Sequence, residues 1–473
     1  MQDLNHGDDD TKNAEIDEIK LKALRSLLAG AAIEPSAHNY DEVRSIWNAM
    51  IDRRPALIVR CGNTSDVQAT LRFAIDNDLP IAVRGGGHNI AGNALCDGGV
   101  VIDFSQMRSV RVDTATRRAF AQPGATLADV DRATQEFGLA IPTGINSTTG
   151  IAGLTLGGGF GWLTRKFGLT IDSLVAAEIV MADTKHVRAN ATENQELFWA
   201  LRGGGGNFGV VTEFEFQLSP VGPQVFSGLV VHPLDDAAEV LREYREIIKA
   251  APDELTCWAV MRQAPPLPFL PEIWHGKGVL VFAMCYCGRE TSGEQATANL
   301  RAIGKPVASH SGLTSYCDWQ QAFDPLLTSG ARNYWKSHDL IELTDDAIHV
   351  LVDAIRRVPE PECEIFIAHI GGAAARIEAG ATAFPQRNSH FVMNVHGRWR
   401  DPSADEDCIG WVRGTFSKME PHAAGTAYVN FMPDDESDRV ATVYGGNYER
   451  LARAKRRYDP SNLFKANQNI QPA

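Results

Sequence analysis

"RGGGHNIAG", residues 84–92, decides how this chain is read. Three consecutive glycines follow the apolar run "PIAV" and end on an imidazole, which a plain turn does not need. Glycine permits positive φ and lets the backbone approach a ligand closely. Successive backbone N–H groups freed in this way form a nest for an anion. Arg84 either adds charge to that nest or faces solvent. A tight turn carrying a surface histidine is the competing reading of the run taken alone.

Two more glycine runs lie downstream. "PTGINSTTGIAGLTLGGGFGW" (142–162) holds seven glycines and few charges. It suits a backbone threading past a large flat ligand, with N–H groups and the Thr148 and Thr149 hydroxyls as donors; a helix face packed through small residues is the alternative. "LRGGGGNFG" (201–209) contains G-x-G-x-x-G at Gly204, Gly206 and Gly209. A dinucleotide-binding turn needs a strand before that motif and a helix after it. Here helix-like "TENQELFWALR" precedes it and strand-like "VVTEFEFQL" follows, so a Rossmann site is rejected. No G-K-[ST] follows any run, which excludes a P-loop.

The 473 residues exceed the ~250–300 at which a single core stops growing, so two domains are expected. Hydrophobic content of 44% and charged content of 22% are ordinary for a globular chain. A net charge of -14 argues against nucleic acid as a partner. The polar, acidic opening lacks the pattern of a secretory leader, and no apolar run approaches the ~20 residues that cross a bilayer. Eight scattered cysteines, with only Cys285 and Cys287 close together, give no zinc signature and read as thiols of a reducing cytoplasm.

Periodicity divides the rest. Residues 1–39 read as a polar arm with one short helix closed by Gly30. From Tyr40, "PALIVRC", "PIAVRGGG", "GGVVIDFSQM" and "RRAFAQPGA" read as strands. "TSDVQATLRFAIDNDL" reads as a helix capped by Thr64 or Ser65, and "TLADVDRATQEFG" as a capped helix ending on Gly138. Pro220 and Pro223 bracket a boundary. Beyond it, runs such as "GKGVLVFAMCYC", "CEIFIAHIGG" and "SHFVMNVHGRW" alternate with amphipathic helices. That pattern predicts an antiparallel sheet with helices on one face. Basic "ERLARAKRR" reads as a solvated helix face.

Together these stretches, with "ELFWALRGGGGNFGVVTEFEF", "TAFPQR", "YVNF" and "YGGNYERLARAKRRYDPSNLFKANQNI", resemble the FAD-linked oxidases of the vanillyl-alcohol oxidase superfamily, with their PCMH-type FAD-binding fold. The berberine-bridge-enzyme-like branch is the nearest in pattern. The resemblance covers about residue 40 to the C-terminus. It implies a two-domain α+β fold. An FAD domain split over 40–222 and 416–473 flanks a substrate domain at 223–415.

The resemblance also implies roles. His88 is the residue that bonds covalently to the flavin 8α-methyl group, and attachment through an imidazole raises the flavin's potential. Arg84, Gly85, Gly86, Gly87, Asn89 and Gly92 belong to the pyrophosphate turn. Gly144, Thr148, Thr149, Gly150, Gly153, Gly158 and Gly161 line the ribityl chain and ring, Gly209 and Val211 border the adenine, and Asn447 sits near the ring. Many relatives carry a second, cysteinyl flavin link; this chain has Asn146 there, so His88 is expected to be the single tether. Thr149 stands at the oxygen-gate position. Tyr428 and Asn430 match the Y-x-N motif, which in a strand shares one face. Tyr428 is then the general base or an orienting group, against the simpler reading of a core tyrosine.

Alternation in "FVMNVHGRW" puts Asn394, His396 and Arg398 on one face as candidates to line the substrate cavity, with His369 and "NYWKS" beside them. Ordinary sheet decoration is the competing reading. The expected function is hydride transfer from a C–OH or C–N bond of a small hydroxylated or heterocyclic compound to FAD. Molecular oxygen then reoxidises the flavin to give hydrogen peroxide. A dehydrogenase using another acceptor and a flavin-binding protein without turnover are the alternatives. No metal, nucleic acid or membrane partner is expected. A homodimer is the commonest assembly for such a chain.

Overall fold

The computed structural model describes residues 16–473. The acidic opening weighed above against a secretory leader falls largely on residues 1–15, outside the described residues. The first helix, Glu18–Leu27, starts where the Asp17 carboxylate accepts from Ile19 and Lys20 N–H. It ends three residues before Gly30.

Four strands form the sheet that carries the first glycine turn, in the order Ala31–Ile33, Leu57–Arg60, Val100–Asp103, Ile81–Arg84. The last three are parallel and read in sequence as continuous apolar runs, as strands covered on both faces do. The helix Thr64–Asp76 packs beside them. Its cap is Asn63, whose side chain accepts from Asp66 N–H, and not Thr64 or Ser65. Asn63 is extended while Thr64 is already helical, and an N-cap must sit just outside the helix.

An antiparallel five-stranded sheet follows, in the order Val110–Asp113, Arg118–Ala121, Val210–Gln217, Leu174–Val180, His186–Asn190. One hydrophobic core joins it to the C-terminal segment. Phe214 and Phe216 share that core with Val443, Tyr444, Leu451 and Ile470.

The third sheet has seven antiparallel strands, ordered Ala308–Ser315, Gln224–Pro233, Gly278–Tyr286, Leu255–Gln263, Glu364–His369, Phe391–Trp399, Arg332–Leu340. Its two faces are distinct. Met261, Phe282, Ile365, Ile367, Met393 and Val395 pack under the helices Ala237–Lys249, Asp345–Ile355 and Asp405–Met419. The alternating residues Trp258, Ala283, Phe366 and His396 face the other way. No helix among the described residues is long and apolar enough to cross a membrane.

Where the sheets meet, a buried polar knot ties the helix Leu127–Gln135 to Tyr316–Gln321. Gln320 Nε2 donates to Asp131 Oδ2 at 3.0 Å, to Thr143 Oγ1 at 2.7 Å and to the Gly144 carbonyl at 3.1 Å. The second oxygen of Asp131 has no partner. Burial pushes this carboxyl up to about 7 despite the Gln320 bond. The folded state therefore holds a proton that the unfolded chain, with a carboxyl near ~3.9, releases. This contribution to stability is full below about pH 4 and is lost as pH rises through about 7. Asp131→Asn should remove that slope. Its denaturant midpoint relative to the parent should rise between about pH 5 and about pH 8, and a difference that stays constant across that range would show Asp131 ionised in the fold.

Candidate active site

The strand Ile81–Arg84 delivers the turn Gly85–Gly87 at its C-terminal end, the position at which parallel strands open onto a ligand crevice. Arg84 is buried: its guanidinium bonds the Asp103 carboxylate on the neighbouring strand and the Val43 carbonyl. The expectation that Arg84 adds charge to the turn, or faces solvent, is corrected. It fixes the strand end from behind. Gly86 meets the second glycine run directly, since a Cβ on Gly86 would lie 2.3 Å from Gly150 N. The reciprocal Cβ on Gly150 would lie 2.3 Å from Gly86 N. Gly87, at φ +71°, turns the chain out of this contact and into His88.

A cavity of 480 Å³ runs from this crossing to the open face of the seven-stranded sheet. It brings together Gly85, Gly86, Gly87, His88, Asn89, Gly144, Asn146, Thr149, Gly150, Gly153, Gly209, Val211, His396, Tyr428 and Asn430. Gly205, Gly206, Phe464, Asn467 and Gln468 also line it. Its fit to FAD can be tested on this geometry. The crossing is a cradle that any Cβ would fill, and among the described residues the only Lys or Arg on the wall is Arg262, already paired with Glu364. A pyrophosphate would thus be held by backbone N–H groups, as a glycine nest does. The long, largely apolar remainder matches a flat ring system. The residues present fit the cofactor.

His88 sits at the junction with a second, solvent-open cavity that Thr148 also lines. Its Nε2 lies 3.0 Å from Thr148 Oγ1. Trp47 stacks on the ring at 5.1 Å between centroids and 21° between planes. Burial pushes the imidazole down to about 4, so it is neutral at physiological pH.

Tyr428 and Asn430 meet, though not in a strand. Tyr428 caps a single 3₁₀ turn, Val429–Phe431, and that turn brings Asn430 back onto it. Asn430 Nδ2 donates to the Tyr428 hydroxyl at 2.9 Å, and Gly159 N–H donates to the same oxygen at 3.0 Å. Burial outweighs both donors and pushes the phenol up to about 12. The phenolic oxygen accepts twice and keeps its own proton.

On the facing sheet, Arg262 donates to Glu364 at 2.7 Å, and His396 Nδ1 lies 3.4 Å from the same carboxylate. The three residues come from adjacent strands through the Arg262↔Glu364 and Glu364↔His396 pairs. Burial alone would raise the Glu364 carboxyl, but Arg262 and His396 hold it below its ordinary value. Burial lowers His396 despite that carboxylate. Around them the wall is aromatic: Trp258, Trp335, Phe366 and Phe431.

Other expected site residues do not reach the cavity. His369 accepts from Arg165 at 2.8 Å and positions that arginine. Asn394 is fully buried beside His396 with no partner for either side-chain atom. Asn447 donates to the Ala379 and Thr382 carbonyls and pins that loop. Gly92 and Gly161 serve packing, for a Cβ would strike Ile51 and the Thr143 carbonyl respectively. Gly158, at φ +125°, supports the Tyr428 ring from behind. Trp47, Arg262 and Glu364 escaped the sequence reading. Only the alternation Glu364–Phe366–Ala368 in "CEIFIAHI" signalled one of them.

The model of an FAD binding domain matches residues 55–190, and that of berberine and berberine-like proteins matches 427–471. An FAD-linked oxidoreductase of Dictyostelium discoideum is 32% identical, over 94% of this chain and 95% of its own. The (R)-6-hydroxynicotine oxidase of Paenarthrobacter nicotinovorans is 30% identical, over 94% and 97%. Among solved structures, 6-hydroxy-D-nicotine oxidase from Arthrobacter nicotinovorans superimposes with a TM-score of 0.83 at 28% identity, covering 94% of this chain and 98% of that one.

The Gly86–Gly150 contact yields a direct test. Gly86→Ala inserts a methyl group against backbone that cannot yield, an overpacking cost of about 1–3 kcal/mol. The variant should unfold at lower denaturant and carry less FAD per protein. Parent-like values for both would mean that the two turns separate freely.

Proposed function

The chain belongs to the FAD-linked oxidoreductases with a berberine-like C-terminal segment, and from that membership we propose that it is an oxidase acting on a small aromatic, hydroxylated or heterocyclic compound. FAD would lie along residues 40–222 and 416–473 and the substrate against 223–415, with His88 as the single covalent tether. Bound FAD would supply a two-electron acceptor for hydride from a C–OH or C–N bond, and molecular oxygen would receive the electrons as hydrogen peroxide.

One observation carries this reading: the Tyr428 hydroxyl, with two donors on its oxygen and its proton free, stands in the same cavity as His88. At about 12 it stays protonated at neutral pH, so it donates to the substrate's oxygen or nitrogen and orients it. Of the two roles left open by the sequence, orientation is favoured over general base. The apolar walls of Trp258, Trp335, Phe366 and Phe431 suit a flat ring and exclude water. Arg262, Glu364 and His396 offer the polar end of such a ring both donors and an acceptor.

Three measurements check the reading. Anaerobic mixing with a panel of aromatic alcohols and cyclic amines should bleach the flavin, and air should restore it with peroxide release. Bleaching restored only by an added acceptor would make the protein a dehydrogenase. Tyr428→Phe should lower kcat by on the order of 10²-fold with FAD retained, and an unchanged kcat would remove Tyr428 from the chemistry. Acid-precipitated parent protein should give a yellow pellet and His88→Ala a white one; colour in the parent supernatant would refute the covalent tether.

A further inference from the structure

The hydrogen bonds around His88 can be assigned one donor at a time. Thr148 N–H meets Asn146 Oδ1 at 3.1 Å. A backbone amide only donates, so that side-chain atom is the acceptor oxygen. The Asn146 amide nitrogen faces the Leu327 carbonyl at 3.5 Å, which agrees. Thr148 Oγ1 lies 2.7 Å from the same Asn146 oxygen and must give its single hydrogen to it. Toward His88 Nε2, at 3.0 Å, the hydroxyl is then left with a lone pair and accepts. The ring nitrogen there carries the hydrogen. A neutral imidazole has only one, so Nδ1 is bare, and it has no hydrogen-bond partner among the described residues.

We infer that Asn146 and Thr148 form a positioning pair that holds His88 in its Nε2–H tautomer and thereby selects Nδ1 as the nitrogen that bonds the flavin. The inference rests on the proposed role of His88 as tether. It gives a function to the position at which many relatives carry a second, cysteinyl link: here it sets the chemistry of the first.

The placement of the two cavities supports the same assignment. His88 and Asn146 line the flavin cavity, whereas Thr148 is exposed in the solvent-open one. The Nε2 hydrogen points at Thr148, so the proton has an exit on the solvent-open side. Trp47 holds the ring plane by stacking and is itself anchored by donating to the Leu327 carbonyl at 2.9 Å. The net step balances. A C–Nδ1 bond forms, a C–H bond of the 8α-methyl group and the Nε2–H bond break, and two protons and two electrons leave on dioxygen as hydrogen peroxide. Once Nδ1 is substituted, Nε2 has a lone pair to accept the Thr148 hydroxyl, while Asn146 keeps its bond from Thr148 N–H.

The test compares full-length parent, Thr148→Val, Thr148→Ser and Asn146→Ala. Three properties are read: acid-stable flavin per protein, FAD released by acid, and the linked nitrogen, from long-range 1H–15N correlations on the isolated flavinyl peptide. Parent and Thr148→Ser should be linked through Nδ1. Thr148→Val and Asn146→Ala should lose acid-stable flavin by about tenfold, the equilibrium worth of one hydrogen bond, and release FAD to acid instead, which shows that they still fold and bind it. Linkage of the parent through Nε2 overturns the inference. So does parent-like linkage through Nδ1 in both Thr148→Val and Asn146→Ala. A parent with no acid-stable flavin would instead refute the tether. The tautomer is then read directly from the imidazole spectrum of 15N-histidine-labelled protein, with His88 assigned by its loss in His88→Ala. An Nε2–H form that Thr148→Val abolishes supports the pair, and an Nδ1–H form overturns it.

Discussion

The contact on which the site depends is backbone against backbone. Gly86 and Gly150 touch with no room for a Cβ on either, and a third segment closes over them. Leu127 N–H donates to the Thr149 carbonyl and Ile151 N–H to the Ala125 carbonyl, each at 2.9 Å, so Gly150 is clamped between them. Gly85 in turn lies under the Pro123 carbonyl. Three loops thus cross within a few ångströms. The wall they build presents main-chain dipoles and almost no side chains. That is why the cavity can suit a doubly charged pyrophosphate although, among the described residues, the cation on its wall is already paired.

This constraint also decides what was legible in the sequence. Glycine at a crossing is a local signal, so the three glycine runs, the strand before the first and the helix–strand order around the third could be read from one dimension. The strands of the large sheet were readable for the same reason, because alternation is local. Partnership across strands is not. Glu364 becomes a cavity group only because register sets Arg262 on one side of it and His396 on the other. Trp47 lies in "SIWNAM", a stretch outside any helix or strand and with no periodicity, and stacks on His88 from there. Tyr428 and Asn430 were rightly read as neighbours but for the wrong reason, since a 3₁₀ turn joins them and not strand alternation. The fold class was open to sequence. The far half of the site was hidden by register.

Buried charge marks the places where this register is enforced. Arg262–Glu364 and Arg387–Asp172 are both ion pairs in which neither side chain is more than 11% exposed. Such pairs add little net stability, because desolvation offsets attraction, yet breaking one by removing a partner is costly. Lys455 belongs with them. In "ERLARAKRR" it reads as part of a solvated face, and its neighbours Arg453 and Arg457 are exposed. Lys455 instead turns inward and donates to Asp459 and to the Asn207 and Phe464 carbonyls at 2.8–2.9 Å. It thereby docks the C-terminal segment whose Phe464, Asn467 and Gln468 line the cavity.

The Leu327 carbonyl shows how the two halves of the site are joined. It belongs to the segment leading into the edge strand Arg332–Leu340, yet it accepts from both Trp47 and Asn146, the residues that set the plane and the hydrogen bonding of His88. Three residues upstream, Asp324 accepts from Ser147 N–H at 2.9 Å and from its hydroxyl at 2.5 Å. Trp47 continues the contact by meeting Trp335 edge-on at 5.6 Å, and Trp335 meets His396 at 4.6 Å. The imidazole is therefore oriented by the same segment that closes the cavity at Leu326 and Leu327. His88 and the aromatic wall of the cavity share one set of supports, and these come together in the fold from residues 47, 88, 146 and 327. A loosening of residues 324–327 would reach His88 by two routes, because Trp47 and Asn146 both donate to the Leu327 carbonyl. The seven-stranded sheet is thus part of the framework around His88 as well as one wall of the cavity.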